Sequence, residues 1–290
     1  MHQWLRAAVL VLLGLVTAAA SAAQGAPDGY RLSLTRGSRL MIAVKINGRT
    51  VNALLDSAAE ATIVDRTLAQ DLHLDAGRAV VGRGSGRAAF GATLVSGVTL
   101  EALGLSLPNQ TVAVADLSDV GRRLLGRPLD VILGREIFDA ARLSIDIKGR
   151  RIRIVPRDRE PPGMRLGLET QHGVEAVAVR VEAGTPTRAT FDLGNASEVL
   201  LSTGLALRMR LLSDGRPIAQ KTGGGLGGKT SRQIITLRSL EVAGRQFKDV
   251  PAAIDPQSSA SDVNIGVAIL RRFQITTDFA QHALWLDSQS

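Results

Sequence analysis

The chain has 290 residues, 45% of them hydrophobic, and a formal net charge of +8, so it can bury one large core or two modest ones. It contains no cysteine, which excludes disulfides, thiolate catalysis and cysteine-ligated zinc. Only 3% of its residues are aromatic, so the core must come from Leu, Ile, Val and Ala. Stacking platforms for nucleic acid are correspondingly scarce, and no nucleic-acid partner is expected. Basic residues are scattered in short groups such as Arg122-Arg123, Arg150-Arg151 and Arg271-Arg272. That pattern reads as a solvated basic surface, with attraction to anionic lipid, glycan or nucleic acid as the sharper alternative.

At the N-terminus, Arg6 precedes an apolar run from Ala7 to Val16 broken only by Gly14, and Ala20-Ser21-Ala22 follows. A basic start, a short apolar stretch and small residues describe a secretory signal over residues 1–23. A retained anchor would need about 20 apolar residues. The mature protein is therefore expected to be periplasmic or secreted, without stable membrane insertion.

The next elements come twice. Ile42, Val44 and Ile46 alternate up to Asn47-Gly48, and Val51, Ala53 and Leu55 alternate down to Asp56. This predicts a hairpin with a tight turn. Val177, Val179 and Val181, a turn through Gly184, then Ala189, Phe191 and Asp192 repeat it; in both copies the glycine precedes the Asp by eight residues. An apolar stretch follows each Asp, at Ile63-Val64 and at Val199-Leu200-Leu201, and then a short helix-like segment, Thr67 to Leu74 and Thr203 to Met209.

Each half then carries a glycine-rich stretch, at residues 82–86 and 223–228, followed by alternating strands. The halves end alike, on Val131-Ile132-Leu133-Gly134 and on Val263-Asn264-Ile265-Gly266, with an Asp twelve residues after each glycine, Asp146 and Asp278. The expected organisation is an N-terminal lobe over residues 24–156, a charged, proline-rich linker over 157–164 and a C-terminal lobe over 165–290.

This order of strand, Asp, small residues, glycine-rich hairpin, apolar-apolar-Gly strand and closing hairpin resembles the retropepsin and pepsin-like aspartic proteases, in particular bacterial single-chain proteins with two such domains. Leu54-Leu55-Asp56-Ser57-Ala58 is similar to the family's Asp-Thr/Ser-Gly motif, and Phe191-Asp192-Leu193-Gly194 is a looser match. The resemblance covers nearly all of the mature chain. It implies an all-β fold of two homologous retropepsin-like β-barrel lobes with a central cleft. It also implies an Asp56–Asp192 catalytic dyad, glycine-rich hairpins acting as flaps, a peptide substrate, and neither cofactor nor metal. Two carboxylates in close approach hold one proton between them, so one can activate a water while the other polarises the scissile carbonyl. With both lobes in one chain, the expected state is a monomer with a pseudo-twofold axis.

Two positions depart from the motif. Ala58 stands where the family has glycine, and would be strained if its backbone needed a positive φ. Leu193 stands where the family has a hydroxyl that braces the lobes. These departures carry a second expectation, a protease-like domain that binds extended peptides or an envelope partner without cutting them. A third is a basic adhesion domain for anionic surfaces.

Other motifs carry less. Residues 223–230 fit the P-loop pattern letter for letter, but the polar text before them and the alternating text after them predict a hairpin instead of a strand–loop–helix. The 82–86 glycines lack dinucleotide-fingerprint spacing. His73, His172 and His282 have no second ligand at metal spacing. Asp146 and Asp278 are expected to serve structure, through turn bonding.

Overall fold

The computed structural model describes residues 29–256 and 261–289. The signal expected over residues 1–23 lies outside the described residues.

The repeat resolves into two matching eight-stranded sheets, one in each half. In the first, Leu40–Ile46 and Arg49–Leu55 form a hairpin, with Val44 opposite Val51. Val44 and Ile46 are buried on one face while Lys45 points to solvent. The turn is made by Asn47 and Gly48, with φ of 47° and 82°, the left-handed pair that a two-residue hairpin needs. The second half repeats the hairpin with Val174–Val181 and Pro186–Phe191. Its turn places the positive φ on Glu182 (55°) instead of on Gly184.

The strand that matters most is short and central. Val131–Leu133 inserts parallel to Arg49–Leu55 and antiparallel to Ile63–Asp65. Val263–Ile265 does the same between Pro186–Phe191 and Val199–Ser202. Such a strand is covered on both faces, so an unbroken apolar run such as Val131-Ile132-Leu133 suits it. Short helices follow, Arg66–Asp71 capped by the Asp65 carboxylate and Thr203–Arg208 capped by the Ser202 hydroxyl.

A third sheet, of six strands, joins the halves. At its centre Leu143–Asp146 pairs antiparallel with Phe273–Asp278, and Ser144 faces Thr276. These two residues are separated by the same offset as Gly134 and Gly266, so the pseudo-twofold axis passes between them. One apolar cluster runs through both halves, from Leu40 and Leu55 to Phe191 and Ile265. Among the described residues no helix is long and apolar enough to cross a membrane.

The closing aspartates differ in what they do. Asp146 accepts the Gly149 amide at 2.7 Å, the expected turn bond. Asp278 instead forms an ion cluster. It is fully buried and accepts from Arg142 Nε at 3.1 Å and from Arg157 Nε and Nη2 at 2.8 and 2.9 Å. The Arg142 side chain, itself buried over the Trp285 ring, also reaches the Arg159 carbonyl. The segment between the lobes is thereby pinned to both of them. Removing one partner of a buried ion pair leaves the other uncompensated, so Asp278→Ala should destabilise the protein by about 3–5 kcal/mol in chemical denaturation. Asp146→Ala should cost far less.

Candidate active site

Asp56 and Asp192 leave the ends of equivalent strands, and the inserted central strands hold them there. The Asp56 amide donates to the Leu133 carbonyl at 3.0 Å, and the Asp192 amide to Ile265 at 3.1 Å. The loops then turn back on their own carboxylates. Ala58 N–H donates to Asp56 Oδ1 and Asn195 N–H to Asp192 Oδ1, both at 2.9 Å. The two carboxyls line a single cleft and lie close enough for each to shift the other's protonation.

The lobes are braced beneath the carboxyls by one side chain. The buried Ser57 hydroxyl donates to the Phe191 carbonyl at 2.8 Å and accepts the Leu193 amide at 2.9 Å. Leu193 returns no hydroxyl; its side chain is fully buried in the apolar cluster. The brace is therefore one-sided, with packing in place of the second pair of bonds.

Gly194 explains the motif glycine. A methyl built on it would lie 2.4 Å from the Asp56 carboxyl carbon, so the glycine is required by close approach. Ala58 does not adopt a positive φ, and the strain expected there is absent. Gly266 meets the same kind of demand, since a methyl on it would lie 2.0 Å from the Asn195 carbonyl oxygen.

One contributor was not singled out from the sequence. Asn264 Nδ2 donates to Asp192 Oδ2 at 2.6 Å, and Asn195 Nδ2 donates to Asn264 Oδ1 at 2.8 Å. The available signal was the break in symmetry, a polar Asn264 where the first half has Ile132.

The cleft has a volume of about 1010 Å³. Leu54, Ile63, Phe90 and Ile132 form an apolar strip on its first-lobe side. Two hairpins roof it, Arg78–Gly82 with Phe90–Ala102 and Ala219–Gly223 with Thr230–Val242. Their tips touch: Gly86 N–H donates to Leu226 O at 2.8 Å and Ala88 N–H to Gly227 O at 2.9 Å. Arg123 clasps the second tip through the Gly224 and Gly225 carbonyls at 2.7 and 2.9 Å. The P-loop-like residues 223–230 are thus a hairpin tip followed by a strand, with no helix end to hold phosphate. Among the described residues, no group of three or more His, Cys, Asp or Glu could hold a metal ion.

Each carboxyl keeps some exposure to the hollow cleft but is surrounded by protein under the closed roof. Burial pushes both above the ordinary carboxylate range. On Asp56 the neighbouring Asp192 charge adds to this, and its pKa is pushed up to about 8. On Asp192 the rise is opposed by Asn264 and by the Asn195 and Gly194 amides.

This has a consequence for stability. Between about pH 4 and 8 the unfolded chain has released the Asp56 proton and the folded chain has kept it. Stability contributed by this group should fall as pH rises through that window, by at most about 1.4 kcal/mol per pH unit. Denaturation of Asp56→Asn across the same range should show a flatter pH dependence and a higher midpoint than the unsubstituted protein at pH 7.

No curated protein matches the chain. The sequence model of the family described as Aspartyl protease matches residues 42–137 and 177–269, one segment in each half, each containing one of the paired aspartates. The chain belongs to the aspartyl protease family.

Proposed function

We propose that the protein is an exported aspartic endopeptidase that hydrolyses peptide bonds with a water activated by Asp56 and Asp192. The observation that carries this reading is the convergence of the two carboxyls, one from each half, on one roofed cleft, with the Asp192 loop so close that a methyl on Gly194 would lie 2.4 Å from the Asp56 carboxyl carbon. Two like charges so close cannot both ionise cheaply, and the pair titrates as a unit holding one proton.

In the proposed reaction an extended peptide lies beneath the two hairpins, pairing with their backbone as an added strand. The apolar strip of Leu54, Ile63, Phe90 and Ile132 would seat apolar side chains. The ionised carboxyl takes a proton from water as its oxygen attacks the scissile carbonyl carbon. The protonated carboxyl donates to the carbonyl oxygen as negative charge develops there. The C–N bond of the tetrahedral adduct then breaks, the leaving nitrogen receives a proton, and the dyad regains its single proton. The chain's own groups suffice, so no cofactor is invoked. Export to the periplasm or the exterior rests on the basic start, apolar run and small residues of positions 1–23.

The one-sided brace at Leu193 favours a second reading, in which the cleft holds an extended peptide without cutting it. Substitution separates the two. Asp56→Asn and Asp192→Asn should each lower peptide hydrolysis by about 10²–10⁴-fold while leaving circular dichroism unchanged. If the unsubstituted protein cleaves no peptide between about pH 3 and 7 and ignores a statine-type transition-state mimic, the proteolytic reading falls. Peptide binding that survives both substitutions would then establish the second.

A further inference from the structure

The two halves differ in the side chain at the middle of the central strand. Ile132 and Asn264 are equivalent, each two residues before the glycine that ends the central strand. Ile132 is buried among Leu54 and Ile63. Asn264 faces Asp192.

Two backbone groups fix which end of the Asn264 amide points at Asp192. The Ser197 N–H, which can only donate, bonds Asn195 Oδ1 at 2.9 Å. The Glu198 carbonyl, which can only accept, takes Asn195 Nδ2 at 3.2 Å. Asn195 therefore presents its NH2 to Asn264 as well, at 2.8 Å, and that atom of Asn264 must be the oxygen. The NH2 of Asn264 is left for Asp192 Oδ2, at 2.6 Å. Asp192 Oδ1 is taken by the Asn195 amide. Both Asp192 oxygens thus meet groups that can only donate, and a carboxylate is the form that accepts them. Asp56 receives backbone amides alone besides its partner carboxyl.

We propose that Asn264 is a positioning residue that keeps Asp192 ionised and leaves the shared proton on Asp56. Asp192 is then the base that takes the proton of the attacking water, and Asp56 is the acid that donates to the scissile carbonyl. This division of labour rests on the proteolytic reading; the placement of the proton does not. The other charged side chains at the cleft do not make the choice. Lys221, Arg232 and Arg123 are held by Glu198, Asp255 and Asp119. Arg39, Arg83, Lys229 and Glu60 stand on its walls and roof, and none of them donates a hydrogen bond to either carboxyl among the described residues.

The test is a carboxyl-carbon NMR titration of Asp-labelled protein in two backgrounds. In Asp56→Asn, adding Asn264→Leu should raise the pKa of Asp192 by about one to two units, the worth of a hydrogen bond to a charged group. In Asp192→Asn, adding Asn264→Leu should leave Asp56 in place. The near-isosteric Asn264→Asp, which exchanges a donor for a carboxyl, should raise Asp192 further and serves if the leucine variant does not fold. Equal shifts in both backgrounds, or none in either, would overturn the proposal. In turnover, Asn264→Leu should move the acid limb of the kcat/KM profile up by the same interval, whereas a merely structural loss would lower the whole profile without moving it. Should the unsubstituted protein hydrolyse no peptide, the proteolytic reading fails and the titration still decides where the proton sits.

Discussion

The structure depends on holding two acidic groups at one cleft, where burial suppresses one of the two charges. In water the carboxyls of Asp56 and Asp192 would separate and ionise. In the protein each is fixed by the strand it ends, by a loop amide and by the floor of a protein-walled cleft. The lobes cannot drift apart because Ser57 ties them directly below the pair and the six-stranded sheet ties them further away. Burial then converts enforced proximity into a retained proton. The site is costly to build, and the apolar cluster running through both halves supplies the rigidity that keeps it assembled.

Much of this was legible in the residues. Asn47-Gly48 specifies a tight hairpin through local backbone preference alone, and the chain makes it. The apolar run before Gly134 gave away the buried central strand because a strand covered on both faces displays little polar surface, and the second half repeats it with one polar residue, Asn264. The pairing of Asp56 with Asp192 was implied by the resemblance of the two motif copies to the aspartic proteases, and the fold brings both to one cleft. The glycines of residues 223–230 resolved as a hairpin tip because the text beyond them alternates as a strand does.

What stayed hidden depends on contacts between distant segments. Nothing near Asp278 in sequence announces that Arg142 and Arg157 converge on it, so its burial as an ion cluster emerges only from the fold. The condition for strain at Ala58, a positive φ, is not met. At Gly194 the reason for glycine is the nearness of the opposite carboxyl, a distance between lobes that local dihedral preferences do not encode. The role of Asn264 depends on its bonds to Asn195 and Asp192, which only the fold brings together.

The duplication within one polypeptide has an evolutionary consequence. An assembly of two identical subunits must change both carboxyl environments whenever it changes one, so a donor beside one aspartate implies the same donor beside the other. Here the halves are encoded separately, and a mutation can be confined to one side. Ile132 and Asn264 record that freedom. Covalent linkage of the copies releases each side from the constraint of sameness, and lets two acids of identical chemistry acquire different jobs.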